Sequence, residues 1–482
     1  MPPAAEQPVA VPIYGATVAE VEPFGIQPIA AAERHGRPSD LFGLWFSANA
    51  ETATWSVGIL TVALYGTSLR GAIAGIVIGN LIGYAVLALL STFGPRYGLP
   101  QMMQSRLAFG FAGNVVPATL AFLAGIGWFA VDCVLGAYAL SELARIGYLP
   151  ALGLMLLVQI AIVVYGYNMI HLFERVTAFA LTFGFVALAV VTVQHTAWSA
   201  PFNPRAPLAQ GGETAGVVLA VALAFSYAIG WAPSASDYSR YLAARTPPRA
   251  IAAFAFWGGV LPSTILEIMG AAAVTALAGT DLSALAPTAA VPLLLGHGAA
   301  GALGLLTIML GTLTANCLNL YSGSLSGLVA LAGKIKVERW HAALVVGVIG
   351  GGLSMLGADP ARTSQLYTDF LLLLSAWASP WAGVVIAHWW TTRRAPPDAR
   401  RAMLSRPAIR VGLFAWAAGV LASVPFLDQA WFTGWVVRAH PQIGDVSYEV
   451  GIVAAAVAMA IGVRLQTSRL PRQSSEFMSE GV

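Results

Sequence analysis

The chain has 482 residues, of which 57% are hydrophobic and only 10% are charged, with a formal net charge of +3. Globular domains carry about 25% charged residues, so this composition excludes a soluble multidomain enzyme, a disordered chain, a secreted disulfide scaffold and a nucleic-acid binder. What remains is an all-α polytopic membrane protein, because only helices satisfy every backbone group inside apolar runs of this length.

Residues 1–40 contain acids and prolines but no apolar core, so they read as a tail rather than a cleavable signal peptide. Apolar runs of about 20 residues, the length needed to cross ~30 Å of hydrocarbon, then predict about twelve spans: 41–65, 71–92, 114–142, 149–168, 176–194, 213–233, 251–278, 300–322, 341–357, 364–388, 410–428 and 446–464. With the N-terminus inside, 20 of the 25 Lys and Arg residues fall on the cytoplasmic side. Six of these (Arg393, Arg394, Arg400, Arg401, Arg406 and Arg410) lie between the tenth and eleventh spans. Arg70, Arg145, Arg205, Arg362 and Arg438 fall outside. The asymmetry predicts that both termini are cytoplasmic, in an inner or plasma membrane. Cys133 and Cys317 sit inside apolar runs and read as small buried hydrophobes rather than a disulfide.

Two spans are interrupted. The first carries the polar stretch Ser47-Ala48-Asn49-Ala50-Glu51-Thr52 in mid-membrane, and the sixth carries Gly230-Trp231-Ala232-Pro233-Ser234. There the proline removes a backbone donor and the glycine loosens the helix. Counting from the first span, the sixth opens a second set of five. Broken helices at matching positions in two halves point to an inverted repeat with a site near the midplane. The expected organisation is a tail (1–40), a first five-helix repeat (41–194), a second (213–388), two additional helices (410–464) and a tail (465–482).

Polar groups inside a membrane are costly, so each is a candidate for function. In the third span Trp128 and Asp132 are four residues apart and share a helix face. An indole beside a carboxylate suits a flat heterocycle that stacks and donates N–H bonds. In the eighth span Thr312, Asn316 and Asn319 form a polar stripe on one face. Asparagine donates and accepts, so the stripe reads either as the reader of a neutral base edge or as glue between helices. Glu51 and Glu267 are the other deep acids. Desolvation penalises the charged form of a carboxyl, which makes both candidate proton carriers; Glu267 could equally bond a neighbouring helix. Asp237-Tyr238-Ser239-Arg240, after the sixth span, reads as a structural ion pair or gating loop.

The chain has no HExxH, no GxxxxGK[ST] and no metal-ligand spacing among its histidines. It therefore lacks the residues of the usual membrane enzymes and ATPases, and no cofactor, catalytic residue, nucleic acid or obligate protein partner is expected. A secondary carrier is the reading, its partners a small molecule and the lipid bilayer. A transporter-like receptor or a channel is the alternative.

The stretches Trp45-Phe46-Ser47-Ala48-Asn49, Gly94-Pro95-Arg96-Tyr97-Gly98-Leu99-Pro100, Ser105-Arg106-Leu107-Ala108-Phe109-Gly110, Ser236-Asp237-Tyr238-Ser239-Arg240-Tyr241 and Asn319-Leu320-Tyr321-Ser322 resemble the purine–cytosine permease group of the nucleobase:cation symporters. The resemblance runs from about residue 23 to about residue 465. It implies a LeuT-type fold of ten core helices plus two, working by alternating access. It further implies a planar ring held between Trp128 and Trp231 beside Gly230, with Asp132 where the group usually has Gln or Asn. Asn316 or Asn319 would contact the base, and Glu51 would be the polar group of the first break. The sodium-coupled members' cation site would fall on Ser47, Ala50, Gly311, Thr314 and Ala315, where one hydroxyl is missing. With two acids beside the site, the expectation is a nucleobase:proton symporter for a purine or cytosine, with Glu51, Asp132 or Glu267 as proton carrier. Sodium coupling through a weak site is the alternative. So is another flat heterocycle, of allantoin, hydantoin, pyridoxine or hydroxymethylpyrimidine type.

Overall fold

The computed structural model describes residues 14–468 apart from 19, 278, 281, 283–284, 286, 332–336, 393–409 and 430–431. The basic residues Arg393, Arg394, Arg400, Arg401 and Arg406 and the tail after 468 lie outside the described residues.

The first predicted span is two helices, α1 (Asp40–Asn49) and α2 (Thr52–Ala63), separated by Ala50 and an extended Glu51. The polar stretch thus breaks the helix at two residues only. α3 (Leu69–Ser91) leads into three short helices, α4 (Phe93–Tyr97), α5 (Gln101–Gln104) and α6 (Arg106–Gly113). Three long helices follow, α7 (Val115–Ala144), α8 (Tyr148–Tyr165) and α9 (Tyr167–His195). α10 (Gly212–Gly230) passes through a 3-10 turn, Ala232–Ser234, into α11 (Ala235–Ser239). Then come α12 (Pro248–Ala276), the short α13 (Ala290–Leu295), α14 (Ala299–Ala330), α15 (Arg339–Ser354) and α16 (Pro360–Thr392). α17 (Val411–Ser423), a two-stranded hairpin (β1 Asp428–Gln429, β2 Phe432–Thr433), α18 (Trp435–Ala439) and α19 (Ser447–Ser468) complete the described chain. Among the described residues ten helical stretches are long and apolar enough to cross a membrane; Thr52–Ala63 and Val411–Phe426 are shorter apolar helices.

The packing forms two groups. α1, α2, α3, α10 and α12 pack on one another, and α7, α8, α14 and α15 form a second set. α17 and α19 pack against α16 and each other. Small residues set how closely the first group approaches. Gly71, Gly75, Gly79 and Gly83 recur every four residues on α3, and a Cβ at Gly75 would lie 2.6 Å from the Ala220 Cβ of α10. Between α2 and α12 the contact is tighter. A Cβ on Gly58 would overlap the Glu267 carbonyl oxygen, and one on Gly270 would overlap that of Trp55. Gly58→Ala is therefore expected to lower stability by about 1–3 kcal/mol, the usual cost of overpacking. Thermal unfolding in detergent measures this, with Gly43→Ala as control, since no atom stands within 4 Å of a Cβ there. Equal midpoints for the two variants would contradict the close approach.

Two expectations are corrected. The fifth helix begins at Tyr167 instead of 176, so residues 169–175 are helical and not a loop. The turn is at Gly166, whose φ of +90° only glycine adopts readily. The polar run around His171, Glu174 and Arg175 hid this continuity. The described part of the N-terminal segment is also no free tail, for Tyr14, Glu22, Ile29 and Glu33 are all buried. Its polar atoms are satisfied by the bundle: Asn168 of α9 donates to the Thr17 carbonyl (2.7 Å) and its Oδ1 meets His35 Nε2 (2.8 Å).

Candidate substrate and coupling site

The two helix breaks meet. At the end of α1 the Asn49 carbonyl, orphaned by the break, accepts from the Thr54 hydroxyl at 2.7 Å. The Asn49 side chain crosses to the other break, its Oδ1 accepting from Trp231 Nε1 (3.0 Å) and from the Tyr84 hydroxyl (2.6 Å). Tyr84 also pairs with Ser263 of α12 at 2.6 Å. Trp231 lies edge-on to Trp45, with centroids 5.6 Å apart, so its indole is fixed from two sides.

Beyond Asn49 the extended Glu51 turns its carboxyl inward, where it is fully buried. Its Oε1 accepts from the Tyr227 hydroxyl of α10 at 2.9 Å, and the Tyr227 oxygen lies 2.7 Å from that of Thr54. Asp132 of α7 faces Glu51 within hydrogen-bonding reach. Its Oδ2 accepts from Asn319 Nδ2 of α14 at 2.9 Å. The remaining oxygens, Glu51 Oε2 and Asp132 Oδ1, are buried without a donor.

The polar stripe of α14 faces α7 along its length. Thr312 packs against Gly136, and Asn316 donates towards the Phe129 carbonyl (3.1 Å), Gln159 Oε1 (3.2 Å) and Cys133 Sγ (3.3 Å). Asn316 is thus spent on α7 and α8, whereas Asn319 reaches the acid pair. Trp128 stands one turn before Asp132 in an aromatic cage. Its ring meets Tyr227, Tyr367 and Phe370 edge-to-face at centroid distances of 5.5, 6.0 and 5.1 Å. Gly230 leaves space for it, since a Cβ there would lie 3.2 Å from Trp128 Nε1. Trp128 therefore borders the turn that carries Trp231.

The positions proposed for a cation also converge. The Thr314 hydroxyl lies 2.6 Å from the Gly311 carbonyl oxygen and 3.1 Å from that of Ser47, and Gly311 packs on the Ala50 carbonyl. The hydroxyl proton is directed between two of the very carbonyls a sodium ion would use, and Ala315 supplies no second hydroxyl. Glu267 sits apart from the acid pair, accepting from Asn80 Nδ2 of α3 at 2.7 Å. One turn earlier on α12, Ser263 is linked through Tyr84 to Asn49.

Several residues escaped the sequence reading. Tyr367 and Phe370 come from α16, where nothing local distinguishes them from lining aromatics. Asn49 stood in a recognised motif without a role. Glu174 of α9 is buried with both oxygens unpartnered. It faces the Ser47 hydroxyl, which itself donates to the Gly43 carbonyl at 2.7 Å.

On the face that holds the N-terminal segment, Glu22 is the hub. It lies 3.2 Å from Arg240 and 3.4 Å from Arg339, with all three side chains buried. It also accepts from the hydroxyls of Tyr241 (2.5 Å) and Tyr321 (2.9 Å) and from the Tyr167 amide (3.0 Å). Arg240 thus pairs with the N-terminal segment, while Asp237 accepts from the Gln101 amide at 2.8 Å.

Residues 28–451 match the family model described as permease for cytosine/purines, uracil, thiamine, allantoin. The chain belongs to this permease family. The permease is 26% identical over 454 residues to the putative purine-cytosine permease YxlA of Bacillus subtilis, covering 91% of this chain and 95% of that one. It is 27% identical over 458 residues to the purine-cytosine permease fcyB of Emericella nidulans, covering 90% and 87%. It is also 25% identical over 385 residues to a hydantoin permease of Microbacterium maritypicum, covering 76% and 75%. Among solved structures, the nucleobase-cation-symport-1 family transporter Mhp1 in a closed conformation superposes with a TM-score of 0.74 at 19% identity, covering 94% of this chain and 98% of that one. The permease fold is therefore of the LeuT type, and the protein is a multi-pass membrane transporter of this family.

Proposed function

We propose that this permease imports a nucleobase, a purine or cytosine, by proton symport through alternating access, with both termini in the cytoplasm. One observation carries the reading: two acids from different helices, Glu51 and Asp132, meet at the junction of the broken helices with one oxygen each left without a donor. Two carboxyls this close in a dry site need a proton between them. The free oxygens suit the ring N–H or exocyclic amino edge of a neutral base, and Asn319 fixes Asp132 for that contact. Trp128 supplies the stacking face, worth about 1–3 kcal/mol per base in other base-binding sites. The expectation of a ring between Trp128 and Trp231 is kept in this form, with Trp231 held by Asn49 as the second wall. Asn316 becomes a support for α7 and α8. Glu267, tied to Asn80, is the more remote candidate carrier.

A second reading has its own support. Relatives include a hydantoin permease and a vitamin B6 transporter of Saccharomyces cerevisiae, so another flat heterocycle is the alternative cargo. Sodium coupling through Ser47, Ala50, Gly311 and Thr314 is the alternative energy source. The test is uptake of labelled hypoxanthine or cytosine into proteoliposomes under an inward proton gradient without sodium, with adenine, guanine, uracil, allantoin and pyridoxine as competitors. Accumulation that collapses with a protonophore is the expected result. Accumulation only when sodium is added would replace the proton, and competition by allantoin or pyridoxine alone would replace the base. Downhill flux that never exceeds the external concentration would make the protein a channel.

A further inference from the structure

On the face remote from the chain's two ends, a cavity of about 140 Å³ opens between the end of α2, the loop before α10, the start of α16 and the β1–β2 hairpin. A cavity of about 150 Å³ is enough to hold one benzene ring. The walls here are polar. Tyr65, Gln210 and Thr368 come from three separate segments, and Asp428, Gln429 and Thr433 come from the hairpin; Leu208 is the aliphatic contribution.

The chamber is built and held. The Leu208 amide donates to the Leu64 carbonyl at 2.8 Å, strapping the loop to the end of α2. The hairpin hangs on Asp445, which accepts from the Asp428 amide (2.9 Å), the Ser447 amide (2.9 Å) and Gln429 Nε2 (3.5 Å). Gln429 is only 4% exposed, and its Oε1 is buried with no donor. A buried amide oxygen left without a donor is destabilising, so the chamber presents an acceptor that lacks its complement. Asp428 adds a carboxylate, pushed above its usual range by burial and by the neighbouring Asp445. Among the described residues no Lys or Arg lines the chamber, which disfavours an anionic solute.

Its position matters as much as its chemistry. Thr368, which lines the chamber, directly follows Tyr367, whose hydroxyl donates to the Ala53 carbonyl at 3.0 Å and whose ring lies against Trp128. The chamber and the Trp128 cage thus draw on consecutive residues of α16, Thr368 and Tyr367.

We infer that this outer chamber is a second, weaker binding site for the same class of molecule, a neutral planar heterocycle edged with N–H and C=O groups, which waits there before Tyr367 gives way. The inference rests on the transport reading above and names a site additional to it. Among the described residues no indole lines the chamber, and a site without a stacking partner binds a base roughly tenfold or more weakly than one that has it.

The experiment is equilibrium binding of labelled cytosine, and separately hypoxanthine, to the purified full-length protein. Two classes per chain are expected. Trp128→Ala should remove the tight class and leave the weak one. Gln429→Leu should remove the weak class and leave the tight one. Because Gln429 also bonds Asp445, Gln210→Leu, on the loop before α10, is a second variant with the same expected effect. A single class that both chamber variants leave unchanged would overturn the outer site while the central one stands. A weak class without any class sensitive to Trp128→Ala would instead remove the central reading. No binding of either probe to the unmodified protein would overturn both.

Discussion

Glu51→Gln combined with Asp132→Asn is expected to abolish concentrative uptake while leaving exchange of substrate across the membrane. Like charges repel by about 4 kcal/mol at ~4 Å and an effective dielectric of ~20, and on the proposed reading the pair avoids this by sharing a proton. Amides at both positions keep the shape and the hydrogen bonds from Tyr227 and Asn319 but hold no titratable proton. Each pH unit of gradient is worth about 1.4 kcal/mol, or about tenfold accumulation for one coupled proton. The double variant should fall from that ratio to unity in proteoliposomes, with counterflow of the same base retained. Either single amide keeps one titratable carboxyl and should lie between the two. Accumulation in the double variant with unchanged pH dependence would show that the proton travels elsewhere.

The second large effect lies on the face that holds the N-terminal segment. Glu22 joins that segment to α9, α14 and α15 and to the residues just after α11, through Arg240, Arg339, Tyr241, Tyr321 and the Tyr167 amide. Glu22→Ala leaves two buried guanidinium groups without their carboxylate. Removing one partner of a buried pair costs about 3–5 kcal/mol. The expected result is a lower unfolding midpoint together with faster maleimide labelling of Cys317, which is fully buried beneath this network on α14. Cys133 serves as the internal comparison, since it packs near Gln159 and Asn316 away from the latch. A Glu22→Ala protein with an unchanged midpoint and an unlabelled Cys317 would show that the network carries no closing energy.

Much of this arrangement was legible in local sequence. A polar stretch and a Gly-Trp-Ala-Pro segment in otherwise apolar spans located both helix breaks, because backbone without helical bonds is tolerated in a membrane only where something else satisfies it. Asp132 and Glu51 were legible for the same reason, as charges too deep to reach water. The choice between Asn316 and Asn319 was not, since residues three apart share a helix face. Gln159 engages Asn316 while Asn319 reaches Asp132, and the approach of Gln159 from α8 is a matter of packing. Glu174 was missed because polar neighbours lowered the local hydropathy and made a helix look like a loop. The Trp128 cage depends on Tyr367 and Phe370, which lie more than 200 residues further along the chain. The docking of the N-terminal segment was hidden too, for its acids look solvated until their distant partners are known.

The order in which the ribosome delivers the pieces gives Glu22 another meaning. It is made well before its partners, for its bond to the Tyr321 hydroxyl spans 299 positions and Arg339 emerges later still. Arg240 can meet the carboxylate once α11 has been made, but the rest of the network has to wait, and contacts of such separation are the slow ones to form. Closure of this junction therefore marks the moment when α14 and the start of α15 have both arrived and seated. A chain ending before Arg339 would hold Glu22 with one of its two guanidinium partners missing, a difference that limited proteolysis of the N-terminal segment can read.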